Sequence, residues 1–110
     1  LLLRNGQTSY LLPDEAIGFP LGIEQDIIYT HAQIPLQSGD TLLFYTDGIV
    51  EAKNMAGDMF GFDRLETTLQ RFDNGYDPHQ IIDNLMADIQ AFVGEAEQHD
   101  DITLVVVQVE

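Results

Sequence analysis

Thr41-Leu42-Leu43-Phe44-Tyr45-Thr46-Asp47-Gly48-Ile49-Val50-Glu51 is the stretch around which the remaining chain is arranged. The turn signal Ser38-Gly39-Asp40 launches a run of apolar and aromatic residues that stops abruptly at Thr46-Asp47-Gly48. A short apolar run bounded by turn residues is the pattern of a strand buried on both faces. Asp47 then stands at the C-terminal end of that strand, either as a turn former or as a site residue. Gly48 lets the backbone turn away there or approach another group closely.

The far end of the chain supplies a second strand of the same kind. His99-Asp100-Asp101 leads into Ile102-Thr103-Leu104-Val105-Val106-Val107-Gln108-Val109, again apolar on both faces, with its carboxylates at the start of the strand. If the two strands lie antiparallel in one sheet, the end of the first and the start of the second share a rim. Asp47 and Asp100 or Asp101 then converge. Carboxylates gathered without nearby Lys or Arg repel one another, and a bound cation relieves the repulsion. The pattern implies a hard-metal site.

Gly39-Asp40-Thr41-Leu42-Leu43-Phe44-Tyr45-Thr46-Asp47-Gly48-Ile49-Val50-Glu51-Ala52 resembles the bacterial SpoIIE/RsbU-type branch of the PP2C (PPM) metal-dependent phosphatases. Phe60-Gly61-Phe62-Asp63-Arg64-Leu65, the closing Asp100-Asp101-Ile102-Thr103-Leu104-Val105-Val106 and the landmark Pro20-Leu21-Gly22-Ile23 carry the same resemblance. It runs essentially end to end but covers the C-terminal half of such a domain, so residues 1–110 are expected to be one incomplete half-domain. The resemblance implies an α+β fold, an antiparallel β-sandwich flanked by helices in αββα layers. It also implies a protein serine/threonine phosphatase using two Mn²⁺ or Mg²⁺ ions, with Asp47 and Asp100 at metal-ligand positions and Gly48 and Asp101 in support. The family's bridging aspartate, in a motif near Asp-x-x-Gly-His-Gly, belongs to the other half, so the 110 residues alone are expected to be inactive. The implied substrate is a phosphorylated protein, in this branch often an anti-sigma-factor antagonist. A catalytically inactive relative serving as a regulatory protein-binding domain is the alternative, and an acidic interaction module sharing only the strand ends is another.

Composition bounds the function further. With 110 residues the chain is one domain at most, large enough to bury roughly two thirds of its unfolded surface. Four basic residues against nineteen acidic ones give a formal charge of −15, which argues against a nucleic-acid backbone or an anionic membrane as partner. The absence of Cys excludes disulfides, a thiolate zinc site and a cysteine nucleophile. No apolar run reaches the length of a membrane span and no signal-peptide pattern is present, so the expected location is cytoplasmic. There is also no Gly-x-Ser-x-Gly elbow, no phosphate loop with its Lys and no calcium-hand ladder.

The remaining elements follow in chain order. The chain opens on Leu1-Leu2-Leu3-Arg4 as though cut from something longer. Asn5-Gly6 predicts a hairpin returning through residues 9–12. Residues 13–22 read as a loop and 27–34 as a third strand, with His31 a packed or edge histidine. Residues 53–58 form a polar loop with its bend at Gly57. A first helix is predicted over 63–72, with Asp63 and Glu66 as a capping box and Leu65, Leu69 and Phe72 on one stripe. A second starts at Asp77-Pro78 with Gln80 in the box position. Its stripe is Ile82, Leu85, Met86, Ile89, Phe92 and Val93, and Gly94 stops it. His79 falls in its first turn as a solvated residue, and His99 is the histidine beside the proposed site. Two helices can cover one face of the sheet. The other face requires a layer from the missing half or from another copy of the chain.

Overall fold

The computed structural model describes residues 1–11, 22, 25–26, 31–72, 75–98 and 100–110. Among these, four strands and two helices form, in the order β1 (Leu2–Arg4), β2 (Gln7–Ser9), β3 (Thr41–Tyr45), α1 (Gly61–Gln70), α2 (Pro78–Val93) and β4 (Leu104–Gln108). The strands make one sheet, ordered β2-β1-β3-β4, in which every neighbouring pair is antiparallel. The two long apolar stretches of the sequence are therefore adjacent. Thr41 pairs with Gln108, Leu43 with Val106 and Tyr45 with Leu104.

Local chemistry explains the connections. Asn5 and Gly6 have φ of 51° and 75°, the paired positive values that a two-residue hairpin needs to match strand twist. The return strand is Gln7–Ser9, earlier than the predicted 9–12, because the tight turn leaves no residue between Gly6 and the ladder. α2 begins as its sequence demands. The Asp77 carboxylate accepts the Gln80 N–H at 2.8 Å, and the Gln80 side chain accepts the Asp77 N–H at 2.9 Å. Pro78 sits in the first turn and Gly94 ends the helix at φ 60°.

Three further expectations need correction. α1 starts at Gly61, two residues before the predicted Asp63, and its N-cap, Phe60, makes no side-chain cap hydrogen bond. Its start is set by tertiary anchoring instead. Phe60 N–H donates to the Ala52 carbonyl at 2.7 Å and Gly61 N–H to the Val50 carbonyl at 2.9 Å, while the Phe60 ring is buried. Asp63 is left as a favourable first-turn carboxylate. Within the predicted third strand, His31 to Ile34 is irregular and exposed, and residues 27–30 lie outside the described residues. The loop predicted over 13–22 also lies there, apart from Gly22. The α2 stripe is centred on Ile81, Leu85 and Ile89. Leu85 and Ile89 are buried as predicted, Ile81 takes the place predicted for Ile82, and Met86, Phe92 and Val93 are partly buried at the edge.

Both helices pack on one face of the sheet. Leu65, Leu69 and Phe72 of the α1 region join Ile81, Leu85 and Ile89 of α2, Leu3 and Leu43 of the sheet, and Ile49, Val50 and Phe60 of the connection in a single core. Each fully buried aliphatic side chain contributes about 1.5–3 kcal/mol. The opposite sheet face is uneven. Leu2 and Leu42 are buried, but Phe44, Val105 and Val107 are 54, 49 and 40 % exposed. The predicted two-sided apolar character of β3 and β4 is thus real, with a helical layer on one side only among the described residues. No helix among the described residues is long and apolar enough to cross a membrane.

Candidate metal and phosphate site

The rim where β3 ends and the chain approaches β4 is held by a clip centred on Thr46. Its N–H donates to the Thr103 carbonyl at 3.2 Å. Its Oγ1 accepts the Thr103 N–H at 3.1 Å and donates to the Asp101 carbonyl at 3.4 Å. Continuing the ladder register brings Gly48 opposite Asp101. A Cβ on Gly48 would lie 2.2 Å from the Asp101 carbonyl oxygen, so the close approach that Gly48 permits is to the chain's own backbone. Beyond the rim the chain makes a helical turn, with Glu51 N–H donating to the Asp47 carbonyl at 2.9 Å. Ile49 and Val50 anchor this turn in the core.

The structure thus brings the backbone around Asp47 and Gly48 against the backbone of Asp101. The side chains of Asp47, Asp100 and Asp101 are exposed. The two adjacent aspartates are not equivalent. Asp100 Oδ1 accepts the Asp101 N–H at 2.8 Å and the Asp100 carbonyl accepts from Gln98 Nε2 at 2.8 Å, so the Asp100 carboxylate is held in place. Asp101 contributes through its backbone, and its carboxylate makes no hydrogen bond among the described residues. His99 lies outside the described residues, and His31 and His79 are exposed.

Next to the rim is an open concavity of about 440 Å³. Gly48, Glu51, Lys53, Met59, Glu97 and Asp100 are among the residues lining it, whereas Asp47 sits on the rim outside it. The sequence puts Glu51 at the end of the motif and Lys53 in a polar loop, and its pattern assigns neither of these, nor Glu97 or Thr46, to the site. The available signal for Thr46 was a hydroxyl at the step between strand and turn. For Lys53 it was a basic residue just past the Asp47-Gly48 turn in a chain with four.

Oxygen-only carboxylate donors suit hard divalent cations. Among the described residues no ion pair neutralises Asp47 or Asp100, and no group of three or more His, Cys, Asp or Glu is placed to hold an ion. The described residues thus form no complete cation site, and the exposed carboxylates of Asp47 and Asp100 are without an ion-pair partner among them.

Comparison with known proteins gives this arrangement its context. Protein IcfG of Synechocystis sp. is 27 % identical over 93 residues, covering 84 % of this chain and 14 % of IcfG. The SiaA-PP2C domain of Pseudomonas aeruginosa superposes with a TM-score of 0.68 at 27 % identity, over 77 % of this chain and 35 % of that one. The phosphatase domain of the cell fate determinant SpoIIE from Bacillus subtilis gives a TM-score of 0.69 at 21 % identity, over 99 % of this chain and 46 % of that one. A manganese-presoaked structure of the same domain gives 0.67. The chain thus spans less than half of each solved domain, and its antiparallel sheet and two helices are a portion of the PP2C fold. The family profile described as Stage II sporulation protein E (SpoIIE) matches residues 1–110, and the chain belongs to that family of PP2C-type phosphatase domains.

Proposed function

We propose that this chain is the C-terminal half of a metal-dependent protein phosphatase domain that hydrolyses phosphoserine or phosphothreonine in bacterial signalling. The observation that carries this reading is the β3–β4 register, clipped by Thr46, which joins the Asp47-Gly48 turn to the Asp100-Asp101 approach on one rim. Asp47 and Asp100 are the proposed ligands of Mn²⁺ or Mg²⁺, with the remaining ligands, including a bridging aspartate, supplied by the rest of the domain. Such ions would supply charge neutralisation for a phosphoryl group and a lowered pKa for a bound water. Gly48 keeps the two strand ends in contact, and Asp101 shapes the turn into β4 through its backbone.

The electrostatics favour metal dependence. A phosphoester arriving at the concavity meets Glu51, Glu97 and Asp100, in a chain of formal charge −15. Like charges at this range repel, so an anionic substrate binds there productively once cations have reversed the local sign. The proposed substrate is a phosphorylated cytoplasmic protein, and an anti-sigma-factor antagonist is the class to which the family resemblance points.

The test is hydrolysis of a phosphoserine peptide by the complete domain. Turnover is expected with Mn²⁺ or Mg²⁺ and is expected to vanish on EDTA treatment. Undiminished turnover in EDTA would sink the metal mechanism. A complete domain that neither binds Mn²⁺ nor turns over would instead place the protein among inactive regulatory relatives.

A further inference from the structure

We infer that Lys53 is a phosphate-positioning residue of the substrate site. The inference rests on the phosphatase reading and deepens it. Lys53 lines the concavity beside the metal rim, together with Glu51, Glu97 and Asp100. It is exposed, and no ion pair involves it among the described residues. The other basic residues are engaged elsewhere. Arg4 is paired with Asp40, Arg71 is paired with Asp88, and Arg64 donates to the Met59 and Phe60 carbonyls while lying over the Phe92 ring. In a chain this acidic, an uncommitted ammonium at the concavity that meets the aspartate rim has a clear electrostatic use. It attracts and orients an anion that the neighbouring carboxylates repel.

The backbone around Lys53 is built to hold it. Lys53 forms an antiparallel bridge with Met59. Asn54 N–H donates to the Asp58 carbonyl at 3.0 Å, and Asn54 Oδ1 accepts the Asp58 N–H at 2.9 Å. One residue earlier, the Ala52 carbonyl accepts from Phe60, whose ring is in the core. The lysine therefore rises from a closed hairpin whose base is anchored, so the entropy cost of placing its head falls on its side chain alone. Lysine binds phosphate as a mobile point charge, which suits the placement of a substrate dianion.

The test uses the complete domain with Mn²⁺, on p-nitrophenyl phosphate and on a phosphoserine peptide, with inorganic phosphate as a competitive inhibitor. Lys53→Gln should raise KM and weaken phosphate inhibition by about tenfold, the size of one charge-assisted hydrogen bond. The Mn²⁺ requirement and kcat should change little. Lys53→Arg should restore most of the loss. Unchanged KM and phosphate inhibition in Lys53→Gln, with an active wild-type domain, would overturn the inference and leave the phosphatase reading intact. Loss of kcat alone, or an equal loss in Lys53→Arg, would reduce Lys53 to a structural residue. An inactive wild-type domain would instead defeat the phosphatase reading on which the inference rests.

Discussion

Replacing Gly48 with alanine should break the rim at its narrowest point. The new Cβ would stand 2.2 Å from the Asp101 carbonyl oxygen and 3.0 Å from its carbonyl carbon. Relief requires a shift of roughly 1 Å, and the opposing atoms are backbone, so no flexible side chain can swing aside. The movement is resisted by the Thr46 clip, with contacts to Thr103 at 3.1 and 3.2 Å. Overpacking of this kind costs about 1–3 kcal/mol. A displacement of about 1 Å between groups that must act together costs on the order of 100-fold in rate. Gly39 provides the comparison. It has φ 91° and nothing within 4 Å of its virtual Cβ, so Gly39→Ala carries only the left-handed backbone cost of about 1–2 kcal/mol. Urea denaturation of the complete domain should therefore show similar stability losses for the two variants. Mn²⁺-dependent turnover should separate them, falling about a hundredfold in Gly48→Ala and holding near wild type in Gly39→Ala. Wild-type turnover and Mn²⁺ requirement in Gly48→Ala would refute the close-approach argument, as would equal turnover losses in both.

Two further outcomes follow from the same geometry. Asp47→Asn and Asp100→Asn should each abolish turnover at ordinary Mn²⁺, while Asp101→Asn keeps most of it; equal losses at Asp100 and Asp101 would reverse the ligand assignment. Because the amide oxygen that Asp100→Asn introduces can still accept the Asp101 N–H, a circular dichroism melt should show little change in that variant. Asp40 is an acid-sensitive group. The Arg4 guanidinium, bonded at 2.8 and 2.6 Å, and the Gln37 N–H hold its pKa down at about 2 from an ordinary 3.8. A depressed carboxylate stabilises the fold fully above its unfolded pKa and loses that contribution as pH falls toward the folded one. Stability measured from about pH 4 to 2 should therefore fall less steeply in Asp40→Asn than in wild type, and identical acid limbs would remove Asp40 from that role.

Where local chemistry alone decides a structure, the sequence was readable. Asn5-Gly6 forces a hairpin, and Asp77-Pro78 with Gln80 starts a helix, because each carries its own hydrogen bonds or φ preference within a few residues. The β3 and β4 strands were readable as apolar runs, and their antiparallel pairing brings the Asp47-Gly48 turn against the backbone of Asp101. What escaped depends on residues distant in sequence. Asp63 and Glu66 have capping-box spacing, yet α1 begins earlier because Val50 and Ala52 accept the N–H groups at its entry. Lys53 and Glu97 are far apart in the chain and reach one concavity only because the 53–59 hairpin and the end of α2 fold to the same side. Polar loops carry no periodicity by which such convergence could be read.

The apolar character of β3 and β4 on both faces bears on the site as well as on the fold. Leu43, Tyr45, Leu104 and Val106 are accounted for by the helices, which bury them wholly or in part. Phe44, Val105 and Val107 form a cross-strand cluster on the other face, with Phe44 directly opposite Val105. A face that meets only water gains nothing from such residues, because burial is what makes them stabilising. Their presence is the mark of a sheet selected to sit in a two-sheet sandwich, in keeping with its match to less than half of each solved PP2C domain. The rim lies at the end of this same pair of strands, so under the proposed function a layer packed on Phe44 and Val105 would approach close to Asp47 and Asp100. On the phosphatase reading proposed above, completing the core and completing the ligand set are in that sense one structural event.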